Sequence, residues 1–169
     1  MRFPFRFAPR RAAIAIALCL VAAGLAWQWP RTAPDSVFVL LDGSVHRTAD
    51  WRGKVTLVNF WATQCAPCLK EMPALQSTYE RLHGRGFDVL AVSMQDDPPA
   101  FVIRYAQNHR LPFGVAIDNT GAIARAWDAT EVTPTSFLLD QHGRVVRRFV
   151  GAVDSAELQG LVQTLLAGA

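Results

Sequence analysis

Two cysteines separated by two residues stand where a strand pattern changes into a helix pattern. Residues 56–60 form a short, nearly all-apolar run, which predicts a strand that is buried on both faces. From residue 65 to about residue 82, apolar side chains recur at spacings of three and four, which predicts a helix. Cys65 and Cys68 therefore fall at the start of this helix. Such a segment requires a sheet with one strand that leads directly into a helix N-terminus.

The rest of the sequence alternates between strand-like and helix-like patterns, which predicts an α/β fold. Further strands are predicted at residues 87–94, 113–117, 136–139 and 144–150, and further helices at residues 100–109, 121–127 and 154–166. Asp42-Gly43 lies between two short apolar runs and predicts a β-hairpin. We expect Phe101 and Trp127 to be core residues.

The N-terminal region has the composition of a membrane anchor. Residues 1–11 contain four arginines and no acidic residue, and residues 12–29 contain no charged residue. As a helix, residues 12–29 would be about 27 Å long, close to the roughly 30 Å hydrocarbon core of a bilayer. The arginines favour a cytoplasmic N-terminus, and Trp27 and Trp29 fall where an interfacial aromatic belt is expected. A cleaved signal peptide is the competing interpretation, because Gly24-Leu25-Ala26 resembles a cleavage site.

These patterns divide the chain into four parts. They are a basic cytoplasmic tail (1–11), a transmembrane signal-anchor or signal peptide (12–29), a polar linker (30–36) and a folded domain (37–169). Both interpretations of residues 12–29 export the domain. We therefore expect a single-pass membrane protein with a cytoplasmic N-terminus and its folded domain on the extracytoplasmic side.

The charge distribution argues against nucleic-acid binding. The formal net charge of the chain is +3. From Arg31 onward, however, there are 13 basic and 14 acidic residues, so the excess of positive charge belongs to the N-terminal tail. No polybasic run or basic-aromatic stripe follows in the domain.

The position of Cys65-Ala66-Pro67-Cys68 predicts redox chemistry. Unpaired backbone N–H groups and the positive end of the helix dipole both stabilise a thiolate at Cys65, which would make it the nucleophile. Cys68 lies one turn further along, where it can resolve a mixed disulfide, and we expect it to be the more buried thiol. Pro67 falls in the first turn, where its missing N–H costs no helical hydrogen bond.

Two other uses of the cysteine pair are possible from the sequence. A static disulfide is common in exported proteins, but a bridge between such close residues restricts the unfolded chain very little. A zinc site would need two more ligands, and the four histidines show no paired spacing typical of such sites. The sequence thus favours a redox-active disulfide, and no metal site is predicted.

Three segments of the sequence resemble TlpA/ResA-like proteins, which are membrane-anchored relatives of thioredoxin. They are residues 52–54 (RGK), residues 58–73 (VNFWATQCAPCLKEMP) and residues 133–140 (TPTSFLLD). The resemblance extends from residue 38 to the C-terminus. It implies a thioredoxin-like fold, in which helices flank a central mixed β-sheet, with an N-terminal β-hairpin and a central insertion. We expect the insertion at residues 113–127.

The resemblance also implies roles for individual residues. The Thr133-Pro134 bond would be cis and would present backbone to an extended substrate. Glu71, on the helical face of Cys68, would be a partly buried carboxylate that exchanges a proton with that thiol. Trp61 matches a family tryptophan and is a supporting residue. Asn59 stands where thioredoxin itself has a buried aspartate, so Glu71 is the nearby carboxylate that can take a proton.

The family resemblance implies a protein-disulfide reductase of the bacterial inner membrane, with its catalytic domain in the periplasm and no need for a dissociable cofactor. Its partners would be protein disulfides, apocytochrome c among them during cytochrome c maturation, and a membrane thiol donor that recharges it. A thiol oxidase or isomerase is an alternative with the same chemistry. A Cu(I) metallochaperone that binds copper through the two cysteines is an alternative from another class.

Gln64 is the clearest departure from the family pattern. Many relatives have a tryptophan immediately before the first cysteine. Glutamine lacks that flat apolar surface, so we expect a more polar rim around the active site. The change affects the choice of partner protein rather than the chemistry.

Overall fold

The apolar run predicted at residues 56–60 is the strand β4 (Val55–Trp61), and every residue of this strand is buried. In the computed structural model, which describes residues 31–168, β4 pairs in parallel with β5 (Phe87–Ser93) and antiparallel with β7 (Thr135–Leu139). Other strands thus cover both edges of β4, and helices and loops cover both of its faces. This burial explains why its sequence lacks the alternation of a half-exposed strand.

The sheet that contains β4 has six strands in the order β1-β8-β7-β4-β5-β6. Its remaining members are β1 (Arg31–Thr32), β6 (Gly114–Ile117) and β8 (Arg144–Val150). A separate hairpin consists of β2 (Val37–Val39) and β3 (Val45–Arg47), and the helices are α1 (Ala66–Leu82), α2 (Pro99–His109), α3 (Ala122–Ala126) and α4 (Ser155–Ala167). Short 3₁₀ helices occupy Thr48–Trp51 and His83–Arg85. The mixed sheet, its helices and the N-terminal hairpin confirm the predicted thioredoxin-like fold.

Two hydrophobic cores lie on opposite faces of the sheet. On one face, α1, α2 and α4 contribute buried residues such as Met72, Val102 and Leu158. On the other face, Phe38 from the hairpin and Trp127 after α3 pack against Phe60 and its neighbours. The burial of Trp127 confirms its predicted place in the core. Each face of the sheet is therefore closed by a different set of elements.

An inserted unit lies between β5 and β7, as the resemblance implied. Its strand β6 pairs in parallel with β5 and forms an edge of the sheet. The hairpin partly covers this edge, because the Leu41 amide donates to the Val115 carbonyl at 2.9 Å. Strand β6 and helix α3 fall within the predicted residues 113–127, and α2 precedes them as the crossover from β5. The strand-helix unit of β6 and α3 thus lies where the insertion is predicted.

Two expectations from the sequence do not fit the structure. Residues 31–36, expected to be a linker, belong to the folded domain: β1 pairs with β8, and the Thr48 hydroxyl donates to the Pro34 carbonyl at 2.8 Å. Phe101 was expected in the core, but it is 49% exposed on α2. Helix α2 fully buries only Val102, so the neighbouring Phe101 points away from the sheet.

The predicted tail and membrane anchor lie outside the described residues. Within residues 31–168, no helix combines the length and the apolar character that crossing a membrane requires. The membrane anchor is therefore inferred from the sequence of residues 1–29 alone.

The packing of Phe38 predicts that the hairpin contributes to global stability. Phe38 has no exposed surface, and its ring lies 5.3 Å from that of Trp51. We expect Phe38→Ala to lower the free energy of unfolding by about 3–5 kcal/mol, measured by urea denaturation, because it removes a buried aromatic ring. Val39→Ala is a matched control on the same strand, where the side chain is 59% exposed, and its effect should stay within about 0.5 kcal/mol. Equal losses in both variants would contradict this role for the hairpin.

Candidate active site

The two cysteines form a disulfide at the N-terminus of α1. Their sulfur atoms are 2.08 Å apart. Cys65 is the N-cap of the helix, and its Sγ accepts a hydrogen bond from the Cys68 amide at 3.2 Å. Cys68 has no exposed surface, whereas Cys65 is half-buried, so the predicted difference in burial is confirmed. An incoming thiol or disulfide can therefore reach Cys65 but not Cys68.

A cis peptide bond at Thr133-Pro134 lies against the disulfide. The bond is cis, as the resemblance implied. The antiparallel pairing of β4 and β7 puts Phe60 opposite Thr135, so the end of β4 meets the start of β7. As a result, the Thr133 carbonyl oxygen lies 3.4 Å from Cys65 Sγ, although the two residues are 68 positions apart. Backbone polar groups thus border the reactive sulfur.

Glu71 lies one helical turn below Cys68 and is buried, with 6% of its surface exposed. Both of its carboxylate oxygens accept hydrogen bonds. The Asn59 side-chain amide donates to Oε1 at 2.8 Å, and the Val153 backbone amide donates to Oε2 at 2.8 Å. The carboxylate is therefore held in one orientation on the helical face that also carries Cys68.

The environment of Glu71 changes its proton affinity. Burial raises the pKa of Glu71 above its ordinary value, because the charged form loses its hydration. The hydrogen bonds from Val153 and Asn59 favour the charged form and oppose part of this rise. A carboxylate with a raised pKa holds a proton more firmly than an exposed one, which suits exchange with a thiol.

Trp61 and Pro67 have structural places near the disulfide. Trp61 ends β4 with no exposed surface, and its ring lies 5.2 Å from that of Tyr105 on α2. It is a packing residue beneath the active-site turn. Pro67 occupies the first turn of α1, as predicted.

A buried aspartate that the sequence did not single out anchors the turn before Cys65. Asp97 is 3% exposed and accepts hydrogen bonds from the Thr63 amide at 2.6 Å and from the Thr63 hydroxyl. The Ser93 hydroxyl also donates to it, at 3.3 Å. Asp97 therefore ties the loop after β5 to the turn that carries the reactive cysteine.

Gln64, the residue before the reactive cysteine, contributes to the lining of two open clefts. The first, of about 260 Å³, includes Asp96, Glu131 and Thr133 in its lining. The second, of about 370 Å³, includes Phe101 of α2 and other residues of that helix. The rim is thus acidic on the side of Thr133 and partly aromatic on the side of α2.

Sequence reasoning missed the partners of Glu71. The sequence marks Asn59 only as an amide in place of an aspartate, and it assigns no role in the site to Val153 or to Ser136, the second partner of Asn59. A period-2 pattern along β4 contained part of the signal, because Leu57, Asn59 and Trp61 share the face that α1 covers. Val153 lies in the loop before α4, and no local sequence pattern predicts its contact with Glu71.

Comparison with known proteins identifies the family. A family model described as Redoxin matches residues 30–165. The thiol-disulfide oxidoreductase ResA of Geobacillus thermodenitrificans is 33% identical over 134 residues, which cover 79% of this chain and 76% of that protein. ResA of Bacillus subtilis is 27% identical over 136 residues, which cover 80% of this chain and 75% of that protein.

Solved structures show the same relationship. A thiol:disulfide interchange protein of the thioredoxin family from Chlorobium tepidum superimposes with a TM-score of 0.74 at 28% sequence identity. The match covers 82% of this chain and 97% of that one. The sequence motifs, the cysteine pair at a helix N-terminus and the similarity to these proteins agree. The chain therefore belongs to the redoxin family, as a thiol–disulfide oxidoreductase of thioredoxin-like fold.

Proposed function

We propose that this oxidoreductase is an exported, membrane-tethered reductant of protein disulfides that serves cytochrome c maturation or a similar thiol pathway of the cell envelope. The observation that carries the proposal is the cysteine pair itself: Cys65 is accessible, Cys68 is buried, and Glu71 lies one helical turn further along. This arrangement suits a protein that donates two electrons to a partner disulfide. Protein disulfides would be its substrates, and apocytochrome c would be one candidate.

The reaction begins with the dithiol form. The Cys65 thiolate attacks one sulfur of a partner disulfide, so a mixed disulfide forms and the other partner sulfur leaves as a thiolate. Cys68 then attacks Cys65 Sγ, which releases the second partner sulfur and closes the Cys65–Cys68 disulfide. The partner gains two electrons, and a membrane thiol donor returns two electrons to the cysteine pair.

Glu71 would serve as the base for the second step. Cys68 must lose its proton before it can attack, and its thiol is buried away from water. The ionised Glu71 carboxylate, on the same helical face, is placed to accept that proton. Its raised pKa allows it to hold the proton until the partner thiolate leaves.

The location of the protein is inferred from residues 1–29. Four arginines followed by an uncharged stretch of 18 residues favour insertion into the inner membrane with the catalytic domain outside the cytoplasm. A reductant is useful there, because haem-binding cysteines are oxidised in an oxidising compartment and need reduction before haem attachment. Its clients would be exported proteins near the membrane surface.

Because Cys65 is accessible and Cys68 is buried, we expect different effects when each cysteine is replaced. Cys65→Ser should abolish disulfide exchange, whereas Cys68→Ser should accumulate mixed disulfides with partner proteins, because the second attack is lost. Non-reducing gel electrophoresis of cells that express each full-length variant measures both outcomes. If the anchor is retained, the trapped species should remain in the membrane fraction after alkaline extraction.

The third cysteine of the sequence, Cys19, provides the matched control. Cys19→Ser should exchange disulfides at the wild-type rate. Normal turnover of Cys68→Ser would show that the roles assigned to the two active-site cysteines are wrong.

The raised pKa of Glu71 predicts a specific pH dependence. The base form of Glu71 is lost as the pH falls through its pKa, so the rate of resolution should rise with pH across a range above that of an ordinary glutamate. Glu71→Gln should slow resolution by about 10²-fold and remove this limb of the profile. Stopped-flow tryptophan fluorescence measures the rate. Glu80→Gln, an exposed glutamate on the same helix, is the control, and an unchanged profile in Glu71→Gln would exclude Glu71 from the mechanism.

A protein that donates electrons to partner disulfides should have a low reduction potential. Equilibration of the full-length chain with glutathione buffers should give a value below about −220 mV, as expected for a reductant. A value near −120 mV, typical of strong oxidants, would instead indicate an oxidase.

A further inference from the structure

A buried amide links the catalytic helix to the centre of the sheet. Asn59 on β4 has no exposed surface, and its Nδ2 donates to Glu71 Oε1 at 2.8 Å and to Ser136 Oγ at 2.9 Å. An asparagine amide has two N–H bonds, so both of its donors are used. Asn59 is therefore held between a carboxylate on α1 and a hydroxyl on β7.

The sheet register fixes this arrangement. Asn59 and Ser136 are directly paired residues of the antiparallel strands β4 and β7. Side chains at such paired positions lie next to each other on the same face of a sheet. The position of the amide thus follows from the backbone pairing, and it does not depend on the flexible end of a long side chain.

The orientation of the amide favours the charged form of Glu71. Asn59 Oδ1 has no hydrogen-bond partner within residues 31–168. An unpaired buried oxygen is unfavourable, and the reverse orientation would present this oxygen to the carboxylate. The amide instead points its N–H bonds at Glu71, where they stabilise negative charge.

We propose that Asn59 is the positioning residue that orients the Glu71 carboxylate and limits its proton affinity, with Ser136 holding the Asn59 amide in place. This inference builds on the role of base proposed for Glu71 above. It explains why an amide at this position suits the reaction: the amide cannot compete with Glu71 for the proton, and it holds Glu71 Oε1 in place. The Val153 amide fixes the other oxygen.

Few other titratable groups of the described residues lie near Glu71. Cys65 and Cys68 share its helix, and Asn59 and Ser136 face it from the sheet. In the loop before α4, the Asp154 carboxylate is engaged in capping that helix, where it accepts from the Glu157 amide at 2.8 Å. Within residues 31–168, Glu71 takes part in none of the ion pairs. In the disulfide form the cysteines do not titrate, so the titration of Glu71 can be measured without them.

The test is a ¹³C NMR titration of the Glu71 carboxyl carbon in the full-length disulfide form. Asn59→Ala removes a donor to the charged carboxylate, so the midpoint should move to higher pH by about one unit. Asn59→Asp keeps the shape of the side chain but places a second carboxyl group beside Glu71. The higher of the two midpoints of that pair should lie further above the wild-type value, because adjacent carboxylates share one proton.

Ser136→Ala is a second test of the inference, and Thr56→Val is its control. Ser136→Ala should shift the Glu71 midpoint in the same direction by a smaller amount, because the amide loses its tether. Thr56 is also buried on β4, its hydroxyl has no partner within residues 31–168, and it lies three positions from Asn59 on the opposite face. Thr56→Val should therefore leave the midpoint unchanged.

An unchanged Glu71 midpoint in the folded Asn59 variants would overturn the inference, as would an equal shift in Thr56→Val. If Asn59→Ala does not fold, Asn59→Asp and Ser136→Ala decide the question in the same way. The titration uses no partner protein. Its outcome is therefore separate from the proposed function, which fails if the wild-type chain does not reduce protein disulfides.

Discussion

The pairing of β4 with its two neighbours is the constraint on which the active site depends. Because β4 and β5 are parallel, the chain must cross over from the C-terminal end of β4 to the start of β5. Helix α1 makes this crossover, and it begins at that end of β4 with Cys65 as its N-cap. Because β4 and β7 are antiparallel, the start of β7 lies beside that same end of β4. One set of backbone hydrogen bonds thus brings the cysteine pair to Thr133, and the paired register also places Ser136 beside Asn59.

Much of the fold could be predicted because its elements carry strong local patterns. The apolar run of β4, the three-and-four spacing of α1 and the turn residues Asp42-Gly43 each indicate the element that forms. Two errors arose where tertiary contacts decide the outcome. Residues 31–36 contain a proline and polar side chains, but Arg31 and Thr32 pair with β8. Phe101 is apolar, but α2 turns it towards the solvent.

The active site was predictable to the extent that its residues are close in the chain. Cys65, Cys68 and Glu71 lie on one helix, so spacing alone places them near each other. Several contacts that hold the site together are distant in sequence: Asn59 donates to Ser136 on the neighbouring strand β7, and the Val153 amide donates to Glu71 from the loop before α4. Asp97 anchors Thr63 in a similar way. A periodic pattern can place one partner of such a hydrogen bond on a face, but only the folded chain shows which distant residue is the other partner.

The unequal burial of the two sulfurs has a further consequence for resistance to oxidative damage. A peroxide that approaches from solution meets Cys65, because Cys68 has no exposed surface. One oxidation of Cys65 gives a sulfenic acid, which condenses with a neighbouring thiol to form a disulfide and water. Cys68 is that neighbour, so the product is the same disulfide that normal exchange forms. Because the helix buries Cys68 next to Cys65, this oxidation ends in a disulfide rather than in irreversible damage. Ordinary thiol exchange then reduces the disulfide and recovers both cysteines.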